Sequence, residues 1–191
     1  VVMTRAPVVP VDTVGAFIRD VKLHGYYGGL RLQKAIVKKF HEYCEKHALV
    51  LHERNFTLSF QSDIPRLVGL AGSSAIITAT LRALMEFYNV DIPRHLMPGL
   101  ILSAEKEELN IQAGLQDRVI QTYGGIVYMD FNRKLIEGRG YGDYQELHPE
   151  NLPPLYVAFD PDRAEISDIP HRNLRDLFNR GDAGVVGAMQ Q

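Results

Sequence analysis

The chain has 191 residues, enough for one compact domain or for one domain and part of another. Its 21 Lys and Arg residues nearly balance its 23 Asp and Glu residues, which argues against a protein that binds nucleic acid by neutralising phosphates. A bilayer span needs roughly 18–20 continuous apolar residues, and no stretch of this sequence approaches that length. The single cysteine, Cys44, excludes an internal disulfide. Together these features predict a globular, cytoplasmic protein whose partners include neither nucleic acid nor a membrane.

Two segments in the first third of the chain show a regular spacing of apolar residues. Residues 1–25 precede both segments and show no such spacing. Apolar residues recur every three or four positions between 30 and 47, which predicts an amphipathic helix. Residues 55–60 alternate and are rich in aromatic and branched side chains, which predicts a strand.

Three further helical patterns follow along the chain. Residues 73–85 carry few charges, which predicts a helix that is buried on nearly every side. A proline and a glycine open a second helix over about 98–110. A third helix is predicted from about residue 169, with a break near Gly181 and another helical start after it.

Two short apolar runs in the second half have the length of strands. They cover residues 125–131 and 154–159, and the polar connection 132–153 between them is long enough to contain a hairpin. Helices and strands are therefore interleaved irregularly. This order predicts an α+β fold rather than a regular parallel βαβ series.

The first segment that carries chemistry is a glycine- and serine-rich loop that leads into the helix at 73–85. Its glycines let the backbone approach a ligand, and its serines lie at a helix start, where unpaired N–H groups favour an anion such as phosphate. The candidate binding residues are Pro65, Gly69, Leu70, Ala71, Gly72, Ser73, Ser74 and Ala75. No lysine follows the glycines, so the loop does not match the Walker pattern. A plain glycine turn with Ser73 as the helix cap is the alternative.

Two acidic residues make up the rest of the candidate site. Glu105 has mostly apolar neighbours on its predicted helix, so its carboxylate points to the core side and needs a partner. That partner is either a metal ion or an arginine or backbone group from elsewhere in the chain. A position at a helix edge close to water is the remaining alternative. Asp117 lies just ahead of a predicted strand, where an acid often caps a helix start.

In this order the motifs resemble the GHMP kinase superfamily, which transfers the ATP γ-phosphoryl group to small hydroxyl compounds. The resemblance covers roughly residues 24–160 and is greatest to the branch that phosphorylates glucuronic acid. It implies an α+β fold with a two-layer sheet-and-helix amino-terminal kinase domain over 1–165, incomplete at its amino end. Residues 166–191 would begin a second α+β domain. The family's flanking amino- and carboxy-terminal motifs have no counterpart, so the missing portions of the same kinase are expected partners of this chain.

The resemblance also implies a role for each candidate residue. Gly69 to Ser74 would wrap the ATP phosphates, Ser74 and Glu105 would hold Mg²⁺, and Asp117 would take the proton of the acceptor hydroxyl. The substrate would be a sugar acid phosphorylated on its anomeric hydroxyl.

Two further groups of residues are candidates for binding that sugar acid. Three arginines are candidates for its carboxylate, although each also suits a structural role: Arg31, Arg66 and Arg118. Tyr26 and Tyr27 suit either a sugar face or core packing. The competing interpretations are a different kinase branch, a binding module that has lost turnover, and a purely structural domain.

Overall fold

The computed structural model describes residues 13–26, 30–65, 68–160, 174 and 176–189. The α-helices that lie wholly within these residues are α1 Val14–His24, α2 Arg31–Lys46, α3 Gly72–Tyr88, α4 Met97–Ser103, α5 Gln116–Tyr123, α6 Arg133–Arg139 and α7 Ala183–Met189. Within the described residues the strands are β1 Ile126–Asp130 and β2 Asp143–Leu147. A π-helical turn, Ala104–Glu108, follows α4 directly, and a short 3₁₀ turn covers Pro149–Asn151. These elements confirm the predicted α+β class.

The core lies between α2, α3 and α4 with its π-helical turn. It is built from aliphatic side chains and one aromatic pair, since Phe40 of α2 stacks on Tyr88 of α3 with ring centroids 5.8 Å apart. The periods predicted for α2 and α3 are confirmed, with ends within about three residues of the predicted ones. Cys44 packs in this core, and burial raises the pKa of its thiol to about 11.

One face of α3 is exposed to solvent, so the prediction of burial on nearly every side was wrong. Ala79, Arg82, Ala83 and Glu86 lie on that face. The sequence misled because two of these four residues are alanines, which carry no charge to mark a solvated face.

Helix α1 was missed by the sequence analysis, although its signals are present. Thr13 caps it by accepting a hydrogen bond from the backbone N–H of Ala16 at 3.0 Å, and Gly25 ends it with a φ of 73°. Ile18 and Val21 form its buried side. The short apolar stripe was obscured by the prolines and glycine that precede and begin it.

The sheet of the described residues is a two-stranded antiparallel pair. β1 pairs with β2 in the register Ile126 to Leu147 and Asp130 to Asp143. The strand predicted at 125–131 is therefore confirmed. The prediction of a hairpin inside 132–153 was wrong. That connection contains α6 and only one strand, β2, which pairs with β1.

Two other predicted strands were wrong, since neither 55–60 nor 154–159 pairs with another strand within the described residues. The first is extended and turns Phe56 toward α3, where its ring lies 5.2 Å from that of Phe87. The second leaves Leu155 and Tyr156 exposed. Alternation of apolar residues favours a strand, but a strand also needs a neighbouring strand to which its backbone can hydrogen-bond.

The helix predicted over 98–110 is present as α4 and the π-helical turn that continues it. Near the carboxyl end, Leu174 and residues 176–179 are helical, the chain turns at Gly181 and α7 follows, so the predicted break is confirmed. The proposed domain boundary at 165–166 falls outside the described residues and stays a prediction.

Candidate active site

The loop before α3 turns into the helix through left-handed backbone. Gly69 has a φ of 76°, and Ala71, the residue at the N-cap, has a φ of 53°. The Ala71 side chain cannot cap the helix, and no acidic residue lies in the first turn. The first N–H groups of α3 thus lack the side-chain cap that usually satisfies them, which suits an anionic ligand. Ser73 is therefore not the helix cap that the alternative interpretation required.

The two serines of this loop have different partners. Ser73 donates its hydroxyl hydrogen to Glu105 Oε1 over 2.9 Å. Ser74 is fully buried and donates its own hydroxyl hydrogen to the carbonyl oxygen of Ala71, also over 2.9 Å. The serine that contacts Glu105 is therefore Ser73, one residue before the serine that the resemblance implied as a metal ligand.

Glu105 lies in the π-helical turn and is completely buried. The turn shifts the helical register, and the backbone N–H of Ile111 donates to the carbonyl oxygen of Glu105 at 2.9 Å. π-helical turns inside helices are frequent at functional sites. The carboxylate points inward, as the apolar neighbours on its helix predicted.

Arg118 supplies the positive charge that Glu105 needs. Its Nε donates to Glu105 Oε2 at 2.6 Å, and its Nη2 contacts the same oxygen. The side chain of Arg118 is only 6% exposed, so this ion pair is buried. Of the two partners considered for Glu105, the structure thus contains the arginine. A carboxylate buried this deeply without a countercharge would be strongly destabilising.

Asp117 lies in the first turn of α5, where a carboxylate interacts favourably with the helix dipole. It does not cap α5, because the N-cap residue is Leu115 and that cap has no side-chain hydrogen bond. Arg118 Nη1 lies 3.2 Å from Asp117 Oδ2 and 3.1 Å from the carbonyl oxygen of Gly114. The Asp117 side chain is half exposed, so it remains open to a ligand.

A continuous series of contacts therefore connects the start of α3 to both acids. It runs from Ser73 to Glu105, on to Arg118 and then to Asp117. Sequence reasoning considered Arg118 for a sugar carboxylate or for a structural role, but did not pair it with Glu105. The signal that could have revealed it was the need of Glu105 for a countercharge.

A second charged cluster fixes the π-helical turn to α2. Glu108 accepts hydrogen bonds at 2.6 Å from both the Tyr26 hydroxyl and Lys38 Nζ, and Lys39 Nζ lies 3.1 Å from its other oxygen. Burial opposes ionisation of Glu108, but these donors outweigh it and lower its pKa. Burial and the bond to Glu108 raise the pKa of Tyr26. Tyr26 is thus held by Glu108, which favours the core-packing interpretation of this tyrosine.

The other candidates for substrate binding differ in how available they are to a ligand. Arg31 is exposed at the start of α2. Tyr27 and Arg66 lie outside the described residues. Arg118 has its donors engaged by Glu105, Asp117 and Gly114, so it is not available to a sugar carboxylate.

The donors around Glu105 fit a magnesium ion only in company with a nucleotide. Mg²⁺ is usually bound through one or two carboxylates together with substrate phosphates and water. Glu105 Oε1 and the Ser73 hydroxyl lie 2.9 Å apart, close enough to share one ion. Among the described residues no group of three His, Cys, Asp or Glu side chains could hold a metal by itself.

In the same part of the chain, no helix combines the length and apolar character needed to cross a bilayer.

Comparison with known families assigns the central part of the chain. Residues 32–125 match the family described as "GHMP kinases N terminal domain", and this part of the chain belongs to that family. The match covers α2 to α5 and therefore includes the candidate loop and both acids. No solved structure matches the chain significantly.

Three curated relatives resemble the chain. Glucuronokinase 1 of Arabidopsis thaliana is 44% identical over 172 residues, which is 87% of this chain and 46% of the relative. Probable glucuronokinase 2 of the same plant is 42% identical over 186 residues, 96% of this chain and 50% of the relative. D-glycero-alpha-D-manno-heptose 7-phosphate kinase of Campylobacter jejuni is 33% identical over 84 residues, 43% of this chain and 25% of the relative. The chain spans about half the length of the two plant relatives.

Proposed function

We propose that this chain is the nucleotide-binding part of an ATP-dependent sugar kinase that phosphorylates the anomeric hydroxyl of a uronic acid such as glucuronate. The observation that carries the proposal is the series of contacts from Ser73 through Glu105 and Arg118 to Asp117. It brings a helix start suited to phosphate next to two acids. Identity of 42–44% with two plant proteins named as glucuronokinases supports the choice of substrate.

The ATP phosphates would bind at the start of α3. Phosphoryl transfer asks the protein mainly for positioning and for neutralisation of charge. Here the uncapped N–H groups of the first turn supply donors, and the left-handed residues Gly69 and Ala71 bend the backbone around the ligand. The proposed binding residues are Pro65, Gly69, Leu70, Ala71, Gly72, Ser73, Ser74 and Ala75.

Glu105 would hold Mg²⁺ together with a serine of this loop. The resemblance implied Ser74, but the contact at 2.9 Å favours Ser73, whose hydroxyl faces Glu105 Oε1. The ion, when bound, neutralises negative charge on the phosphates. Ser74 supports the loop instead, because its hydroxyl ties the helix to the Ala71 carbonyl.

Asp117 would orient the acceptor hydroxyl and take its proton during transfer. Its carboxylate is half exposed, while Arg118 contacts only Oδ2. The other oxygen can thus face a substrate. Arg31 and Arg66 remain candidates for the sugar carboxylate. The free, buried thiol of Cys44 is compatible with the cytoplasmic location predicted from the sequence.

A panel of sugars tests the proposal. Sugar-dependent ADP release is measured on the full-length protein with glucuronate, galacturonate, glucose, galactose and a heptose 7-phosphate. We expect release with glucuronate at a rate at least tenfold above that with the neutral sugars. The partial match to a heptose phosphate kinase makes that sugar the specific alternative. Release only with a neutral sugar or with the heptose phosphate would assign the protein to another branch. Nucleotide binding without release would indicate a binding module.

A further inference from the structure

The two oxygens of the Glu105 carboxylate have separate partners. Oε2 accepts from Arg118 Nε at 2.6 Å and also contacts Nη2 of the same guanidinium. Oε1 accepts only from the Ser73 hydroxyl among the hydrogen bonds of the described residues. One oxygen is therefore held from the α5 side, and the other is directed toward the start of α3.

Asp117 shows a similar division. Arg118 Nη1 lies 3.2 Å from Asp117 Oδ2, and the Asp117 side chain is half exposed to solvent. A third donation, from Nη1 to the Gly114 carbonyl oxygen at 3.1 Å, fixes the guanidinium against the backbone before α5. One buried arginine thus contacts both acids, and it touches one oxygen of each carboxylate, Glu105 Oε2 and Asp117 Oδ2.

We propose that Arg118 is a positioning residue that anchors Glu105 Oε2 and Asp117 Oδ2, so that Glu105 Oε1 stays directed at the metal–nucleotide complex. This inference rests on the proposed function and deepens it. Arg118 touches neither the phosphates nor the sugar in this account and acts through the two carboxylates. It remains bound to Glu105 when the ion is bound, because the ion and the arginine use different oxygens.

The proposal depends on the shape of the guanidinium. Arginine presents several N–H donors in a rigid planar fork, so one side chain can hold two carboxylates and a carbonyl at fixed angles. Lysine carries the same charge on a single nitrogen and cannot reproduce that arrangement. Arg118→Lys therefore keeps the countercharge of Glu105 but loosens the orientation of both acids.

Binding of ADP to the 191-residue chain, measured by calorimetry over a range of Mg²⁺ concentrations, tests the proposal. We expect Arg118→Lys to raise the Mg²⁺ concentration for half-maximal ADP binding at least tenfold, a typical effect of removing an outer-shell partner. ADP affinity without metal should change less than twofold. Arg133→Lys is the matched control, since Arg133 is 87% exposed and pairs with Glu137 within α6, and it should leave both values unchanged.

The outcomes separate this inference from the proposed function. A wild-type chain that binds no ADP at any Mg²⁺ concentration overturns both. In a second outcome, the wild-type chain binds ADP with Mg²⁺ and Arg118→Lys requires the same Mg²⁺ concentration as the wild type. That result overturns the positioning role alone. A parallel loss of ADP affinity with and without metal would also overturn it, because a general structural defect produces that pattern.

A second measurement covers the case in which Arg118→Lys does not fold. The arginine Nε–H resonances of the wild-type chain are recorded by NMR, and the Arg118 signal is assigned as the one that shifts in Glu105→Gln. Addition of Mg²⁺ and ADP should leave that hydrogen-bonded signal in place and protected from exchange. Loss of the signal would show that the ion displaces Arg118 from Glu105 and would overturn the proposal.

Discussion

Ser73 and Glu105 lie 32 residues apart in the chain, and the Ser73 hydroxyl donates to Glu105 Oε1 over 2.9 Å. This bond connects the first turn of α3 to the π-helical turn after α4. It brings a buried carboxylate to the helix start that is proposed to bind phosphate.

Removal of the Asp117 carboxylate should stop catalysis but spare nucleotide binding. Asp117→Asn keeps the size of the side chain and removes its ability to take a proton. We expect the glucuronate-dependent kcat of the full-length protein to fall at least about 100-fold. The Kd for ADP with Mg²⁺ should stay within about twofold. Asp130→Asn, in β1 and outside the site, is the control, and normal turnover in Asp117→Asn would remove this residue from the mechanism.

The Glu108 cluster should make the fold sensitive to acid. Hydrogen bonds from Tyr26, Lys38 and Lys39 lower the pKa of Glu108 below its usual 4.5. A lowered pKa in the folded state contributes stability above the unfolded pKa, and that contribution is lost as the pH falls below about 4.5 through the folded pKa. Urea unfolding between pH 7 and pH 3 should show this loss in the wild-type chain.

Glu108→Gln is the variant that assigns the acid sensitivity. Its free energy of unfolding at pH 7 should fall by about 2 kcal/mol, because Lys38 and Lys39 lose their buried carboxylate and keep only the more exposed Glu42 and Glu107. Its remaining stability should depend less on pH below 4.5. Glu137→Gln, at an exposed pair, should behave like the wild type. An equal pH dependence in Glu108→Gln and wild type would contradict the assignment.

The left-handed residue Ala71 should be a site of strain. A non-glycine residue with a φ of 53° is disfavoured because its Cβ crowds the backbone. Ala71→Gly should therefore raise the free energy of unfolding by about 0.5–1 kcal/mol. The same substitution at Ala79, an exposed position inside α3, should lower it by about 1 kcal/mol. If both variants lose stability, Ala71 is not strained.

Gln33 should be replaceable by an apolar residue. It is 2% exposed, and neither its Nε2 nor its Oε1 has a hydrogen-bond partner within the described part of the chain. Gln33→Met removes both unsatisfied groups, so thermal and urea unfolding should show a gain of about 1–2 kcal/mol. Gln33→Glu, which buries a charge at the same position, should instead be clearly destabilising. A loss of stability in Gln33→Met would indicate that the amide has a partner in solution.

The helices of the core could be predicted from the sequence because burial leaves a period. The apolar positions of α2 recur every three or four residues and face α3, and the confirmed bounds follow from that pattern alone. The inward direction of Glu105 was predictable for the same reason, since most of its neighbours on the helix are apolar. Both predictions depend only on the spacing of residues within one helix, which can be read directly from a single sequence.

Contacts between distant residues were less predictable. β2 has a mostly polar sequence and becomes a strand only because its backbone pairs with β1. The segment 55–60 has the better strand pattern and no ladder within the described residues. Likewise the choice of Ser73 over Ser74 as the contact of Glu105 depends on the turn at Ala71, whose left-handed φ the sequence does not specify.

Calorimetric titration of ATP into the chain, with and without Mg²⁺, tests the central claim most directly. For the wild type we predict that 5 mM Mg²⁺ tightens ATP binding at least about tenfold, since the ion supplies charge between Glu105 and the phosphates. In Glu105→Gln, with Glu137→Gln as the control, we predict that this tightening disappears while metal-free ATP binding persists. An equal effect of Mg²⁺ in Glu105→Gln and wild type would contradict the account, as would a wild-type chain that binds no ATP.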